Sequence, residues 1–310
     1  MNLIPLLNLQ GKMFLLVAAG LILRKQGILK ETANSVLTNL LIYLILPCNI
    51  IGSFFIEFNI EILKGFGVII IVSTLIQATG LLFAHIFYNK ETSEERKILQ
   101  FGTICSNANF MGNPIAESVY GAAGLMYASV FLIPMRIVMW SAGISCFTKS
   151  QGKKEVIKKV LTHPCIFAVC VGMSRMLLKI SLPVFLEETI LSLGNCTTAI
   201  SMVLIGTILA GAEPRSLFNK GILKYTFIRL ILFPFLVFAG CRLFHIAPLI
   251  SGICVLLTGM PAGSTTAIMA AKYDGNYVFA TKCVVVSTLL SLVTIPLWCL
   301  AFIYLNTSTM

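Results

Sequence analysis

The chain has 310 residues, of which 57% are hydrophobic and 11% charged, with a formal net charge of +11. Soluble domains carry roughly a quarter charged residues, so a single water-facing core is excluded and a bilayer is the solvent that fits. The excess positive charge does not indicate nucleic acid, because the basic residues sit in short clusters between apolar runs.

Apolar runs of membrane-crossing length predict an all-α integral membrane protein of ten spans: 5–25, 34–54, 64–88, 98–119, 124–148, 164–180, 186–210, 222–246, 248–271 and 276–304. Span one lacks a basic start and a small-residue cleavage site, so it reads as a helix rather than a cleaved signal. Span two brings Pro47 and Asn49 into the membrane, and span seven carries Asn195, Thr197 and Thr198. These polar groups either line a cavity or bond between helices.

Span four contains Ser106, Asn107, Ala108, Asn109, Phe110, Met111, Gly112, Asn113 and Pro114 in succession. Three amides in seven residues are costly in hydrocarbon unless partnered or wet. Asn113 followed by Pro114 resembles an N-cap with proline at the first helical position. One half-helix is therefore expected to end near Asn107 and another to start near Pro114. Span nine contains Thr258, Gly259, Met260, Pro261, Ala262, Gly263, Ser264, Thr265 and Thr266, which weaken a helix and then offer caps for a new one. Irregular backbone at membrane depth must be buried in protein or line a wet cavity. Two polar breaks at matching positions indicate a transport site more strongly than a pair of proline kinks. Half-helix N-termini favour an anion there.

Arg136, inside span five, reads as a counter-charge for an anionic substrate, as a salt-bridge partner of a residue such as Glu117, or as a snorkelling side chain. Glu117 itself fits the outer headgroup layer better than a proton relay. Arg229 and Lys282 fall within two turns of helix ends, where snorkelling explains them. Scarce intramembrane carboxylates argue against a carboxylate-built sodium or proton site, although carbonyls and hydroxyls could hold sodium. The ten cysteines include no CxxC pair and read as small apolar side chains, so neither a metal nor another cofactor is expected.

Loop charge sets orientation. Connections after the odd-numbered spans hold sixteen basic residues, among them Arg24, Lys90, Lys153, Lys158 and Arg215, against four on the other side: Lys64, Arg175, Lys179 and Arg242. The basic side faces the cytoplasm, which places both termini outside. The basic stretch at 149–163 divides the chain into repeats 1–148 and 164–310. Five spans in each half force opposite orientations, the inverted-repeat plan of many secondary transporters.

The segment SNANFMGNPIAESVYG, 106–121, resembles the fourth helix of the auxin efflux carrier family, which includes plant carriers and bacterial organic-acid permeases. The segment GMPAGSTTAIMAAKYDGN, 259–276, resembles its ninth, and His163–Pro164 stands where the plant carriers have Asn-Pro. That departure leaves His163 without an assigned role. The resemblance implies two broken helices that cross, a scaffold of spans 1, 2, 6 and 7, a mobile domain of spans 3–5 and 8–10, elevator motion and a homodimer in the cell membrane. It also implies that Asn107 helps hold a substrate carboxylate and that Pro261 marks the crossover.

The expected function is transport of a small organic anion such as a mono- or dicarboxylate. Candidate binding residues are Asn107, Asn109, Asn113, Pro114, Thr258, Gly259, Pro261, Gly263, Ser264, Thr265, Arg136, Asn49 and Asn195. A sodium-coupled symporter of the bile-acid type is the alternative, and a membrane receptor or scaffold a third reading. No GxSxG, HExxH or paired membrane aspartate supports an enzyme.

Overall fold

Every regular element among the described residues is a helix, as a backbone that must satisfy its own hydrogen bonds in hydrocarbon requires. The computed structural model describes residues 3–30, 32–55, 60–143, 145–147, 154, 157, 158, 161–211, 219–273 and 275–307. Most of the basic connection at 149–163 lies outside them. The helices are α1 (Leu3–Lys25), α2 (Thr32–Ser53), α3 (Ile60–Phe87), α4 (Ser93–Ile104), α5 (Ala108–Val138), α6 (Pro164–Leu178), α7 (Val184–Ala210), α8 (Lys220–Leu243), α9 (Pro248–Thr258), α10 (Ser264–Lys272) and α11 (Tyr277–Thr307). By length and composition α2, α3, α5, α7, α8 and α11 can cross a membrane, and α6 and α9 are shorter apolar helices. Large side chains such as Leu15, Ile71, Phe185 and Val293 are exposed on the helix faces, a distribution that suits lipid contact.

Helix α5 is two limbs. Gly121 has φ 69° and ψ −161°, a region open almost only to glycine. The chain doubles back there, because a Cβ at Gly124 would lie 2.4 Å from the Ala116 carbonyl oxygen eight residues earlier. This turn separates the stretches read from sequence as spans four and five.

Three helices widen into a π-turn that ends two residues before a proline: Leu41–Ile45 before Pro47, Ala108–Gly112 before Pro114, and Ile228–Leu232 before Pro234. Proline has no N–H and its ring strikes the carbonyl four residues back. Bonding across five residues accommodates both problems without ending the helix. The N–H of Asn113, for instance, donates to Ala108 O.

Packing joins the helices into two groups. In the first, α1 and α7 press backbone on backbone: a Cβ at Gly20 would lie 2.1 Å from Val203 O, and one at Gly206 2.1 Å from Val17 O. Helix α2 packs against α6 and α7, and Thr207 of α7 donates to Asn34 of α2. The second group holds α3, α4, α5 and α8–α11. Polar bonds tie it together: Ser73 to Phe131 O, Gln100 to Ala84 O, Tyr225 to Gly102 O, and Trp298 to Leu230 O. Among the described residues, side-chain hydrogen bonds bridge the groups from Asn49 to Glu117 and from Arg136 to His163.

Candidate functional site

The second group contains both interruptions seen in the sequence, and they meet. After α4 ends at Ile104, Cys105 is extended (φ −115°, ψ 90°) and α5 begins at Ala108. After α9 ends at Thr258, the chain resumes as α10 at Ser264. Ser106 and Ala262 pair as an isolated antiparallel bridge. The Asn107 N–H donates to Pro261 O at 2.8 Å, and the Ala262 N–H to Ser287 Oγ of α11 at 3.1 Å. A Cβ at Gly263 would lie 2.9 Å from Thr265 Oγ1 and 3.3 Å from Ser106 O, so the local turn and the crossing both crowd that position. Four half-helix ends converge on this point: the C-termini of α4 and α9 and the N-termini of α5 and α10.

The second half-helix of the first break starts six residues before Pro114, not at it. Asn113 has helical φ −58° and ψ −51° and is no N-cap. The π-turn at Ala108–Gly112 carries the helix through the proline, which in the sequence alone reads as a helix start.

Asn107 lines a cavity of about 10 Å³ with Ile205, Ile208 and Leu209 of α7 and Val284 and Thr288 of α11. That is room for about one water. The cavity lies where the two helix groups face each other, and in this conformation it is closed to a substrate. Asn113 is 0% exposed, and neither its amide nitrogen nor its oxygen has a partner among the described residues. Buried polar groups without partners are rare.

Asn109 is bonded to Arg136, which is 5% exposed. Arg136 Nη2 donates to Asn109 Oδ1 at 2.9 Å, and Nη1 lies 2.7 Å from His163 Nε2. Its expected partner Glu117 is elsewhere, accepting from Asn49 Nδ2 at 3.2 Å. His163 caps α6, with Nδ1 accepting from the Cys165 N–H at 3.2 Å. Both neighbours of this ring are donors, and a neutral imidazole offers one acceptor nitrogen. One contact therefore sets donor against donor. The Cys165 sulfur, a weak acceptor, also stands beside the guanidinium, and no carboxylate among the described residues pairs with it. Asn109 and His163 are only part-buried, so the cluster opens to one side.

Of the remaining candidates, Thr258, Gly259 and Thr265 lie at the half-helix ends of the crossing, and Asn49 and Asn195 do not. Thr258 bonds back to Cys254 O at 2.7 Å, and the Gly259 N–H closes the end of α9 on Val255 O. Thr265 is part-buried at the start of α10, while the Ser264 side chain lies outside the described residues. Asn49 sits between the groups on Glu117. Asn195 is exposed on α7, away from the crossing.

Sequence reasoning missed Arg229. It is no snorkelling residue: it is 4% exposed, its Nε donates to Met260 O at 3.0 Å, and its Nη1 donates to Thr103 O at 2.9 Å. Its position, nine residues or about 13 Å inside α8 and flanked by apolar side chains, is the signal that could have shown it to be buried. His163 was also missed, because its partner Arg136 is 27 residues away.

A family model described as a membrane transport protein matches residues 11–159 and 152–299. An uncharacterized transporter of Methanothermobacter thermautotrophicus is 24% identical over 304 residues, covering 91% of this chain and 94% of that protein. A second uncharacterized transporter, from Methanocaldococcus jannaschii, is 24% identical over 299 residues, covering 92% and 94%. These matches agree with the resemblance carried by segments 106–121 and 259–276.

Proposed function

The chain belongs to the membrane transport protein family, of the auxin efflux carrier type, whose members are transporters rather than enzymes, and we propose that it carries a small organic anion, a mono- or dicarboxylate. The observation that carries the anion is Arg136. It is a buried guanidinium beside the crossing whose neighbours are neutral, with no carboxylate among the described residues paired to it. A carboxylate accepts two parallel N–H bonds from such a fork and supplies what the cluster lacks. Asn107, at the start of α5 and facing α7, is the second contact we assign to the substrate, with Asn113 as an unspent amide one turn and a half further along.

The transport cycle we assign is an elevator in the cell membrane. Ten crossings arise if α4 with the first limb of α5, and α9 with α10, each make one passage and the second limb of α5 makes another. Both termini then lie outside. Helices α1, α2, α6 and α7 form the scaffold and dimerise, and the other group slides along them carrying the crossing. Support for this division comes from the glycine-tight α1–α7 contact on one side and the polar ties within the other group. The Asn49–Glu117 and Arg136–His163 bonds span the sliding surface and exchange partners as it moves.

Purified protein in proteoliposomes, loaded with one carboxylate and challenged with a panel of labelled ones, tests the reading. The expected result is saturable exchange for at least one short mono- or dicarboxylate, lost in Arg136→Ala. Exchange of cations or neutral solutes alone, with none for any carboxylate, overturns it.

A further inference from the structure

The C-terminal ends of two half-helices carry partial negative charge and unsatisfied carbonyls. In transporters with broken helices these ends are where a coupling cation is bound. Here several of the carbonyls at and just past these ends already accept from protein. In α4, Phe101 O accepts from the Cys105 N–H, Gly102 O from the Tyr225 hydroxyl at 3.1 Å, and Thr103 O from Arg229 at 2.9 Å. Just past α9, Met260 O accepts from Arg229 Nε at 3.0 Å. Tyr225 and Arg229 lie four residues apart on α8 and so share a face. The guanidinium also stands 5.5 Å from the centre of the Phe233 ring. No carboxylate among the described residues forms an ion pair with it. Its counter-charge is the pair of helix ends.

We infer that Arg229 is a built-in cation that permanently fills the position of a coupling ion at the crossing, so the crossing needs no sodium to hold its shape. A guanidinium suits this role because its fork can reach two carbonyls from different helices at once, while a bound ion must be recruited from solution. The consequence for coupling is specific: a sodium ion at these ends would stand beside the Arg229 charge and share Thr103 O and Met260 O with it.

Melting of the purified protein in detergent tests the inference without any substrate, so its failure is distinguishable from failure of the organic-anion reading. The buffer contains N-methylglucamine chloride, replaced stepwise by sodium chloride or by low millimolar guanidinium chloride at constant ionic strength. Wild type is expected to melt at the same temperature in all three. Arg229→Gln, which keeps a donor but no charge, is expected to melt at least about 5 °C lower and to regain part of that loss with guanidinium. Arg229→Lys is expected to fall between the two. Should the Gln variant not accumulate, the Lys variant gives the same readout, a smaller loss partly restored by guanidinium. Sodium-specific stabilisation of wild type overturns the inference, as does a Gln variant as stable as Lys or a loss that guanidinium does not restore.

Discussion

Arg136 and Arg229 are both guanidiniums buried among apolar helices beside the crossing, yet their surroundings differ in kind. Arg229 donates to backbone carbonyls whose positions are fixed by two helix ends. Those acceptors cannot rotate away or change tautomer. Arg136 donates to an amide and leans on an imidazole that is already accepting elsewhere. Its partners are adjustable and come from both helix groups. A buried charge is tolerated only when it is bonded, and the two sites meet that requirement differently. One is satisfied by the fold alone. The other is satisfied only by neutral side chains, and it is the one we propose meets the ligand.

The sharpest way to break this comparison is to neutralise each arginine and read both flux and melting. Arg136→Leu is expected to abolish carboxylate exchange while melting near or above wild type, since a buried charge is replaced by an apolar side chain. Arg229→Leu is expected to do the reverse in order of severity. It orphans two carbonyls at about 1–3 kcal/mol each, so melting falls by several degrees before flux is considered. Equal melting losses for the two variants would erase the distinction. Next in size, Asn107→Ala is expected to weaken carboxylate affinity on the order of tenfold, one charge-assisted bond, with insertion and dimerisation unchanged. Binding measured by a ligand-induced melting shift checks it, and wild-type affinity would remove Asn107 from the site. Gly121→Ala tests the turn that precedes the limb carrying Arg136: its φ of 69° puts the cost at about 1–3 kcal/mol, visible as reduced melting with substrate affinity retained. The smallest effect is expected for His163→Asn. Asparagine is a good N-cap and can accept from the Cys165 N–H, so melting should stay within about 0.5 kcal/mol of wild type, whereas His163→Ala should lose about 1 kcal/mol.

The sequence made some of this legible and not the rest, for physical reasons. Composition and run length suffice for a helical membrane protein, because hydrocarbon admits few backbone solutions. The breaks in spans four and nine were visible because Asn107, Asn109, Gly259 and Pro261 are poor tenants of a lipid-facing helix. Their exact edges were not visible. Pro114 reads locally as a start, and only the widened turn before it lets the helix run through. The bridge between Ser106 and Ala262 joins residues 156 positions apart, a distance over which local pattern says nothing. Arg229 illustrates the same limit: counting residues from a helix end gave snorkelling, while its acceptors belong to two distant segments. Asn195, singled out for its amide, faces outward because a single polar residue does not reveal which side of a helix is covered.

The three π-turns before Pro47, Pro114 and Pro234 have a consequence for how such chains diverge. A π-turn holds one residue more than the α-turn it replaces, and each residue in an α-helix accounts for about 100° of rotation. A relative that lost the proline could drop one residue from the turn and bring every later side chain back to the same face. Single-residue gaps at 41–45, 108–112 and 228–232 would then be compensated events, each paired with loss of the proline two positions downstream. Deleting one residue while keeping the proline would instead turn the next stretch of helix by that angle, and at 228–232 it would pull Arg229 out of register with Thr103 O and Met260 O.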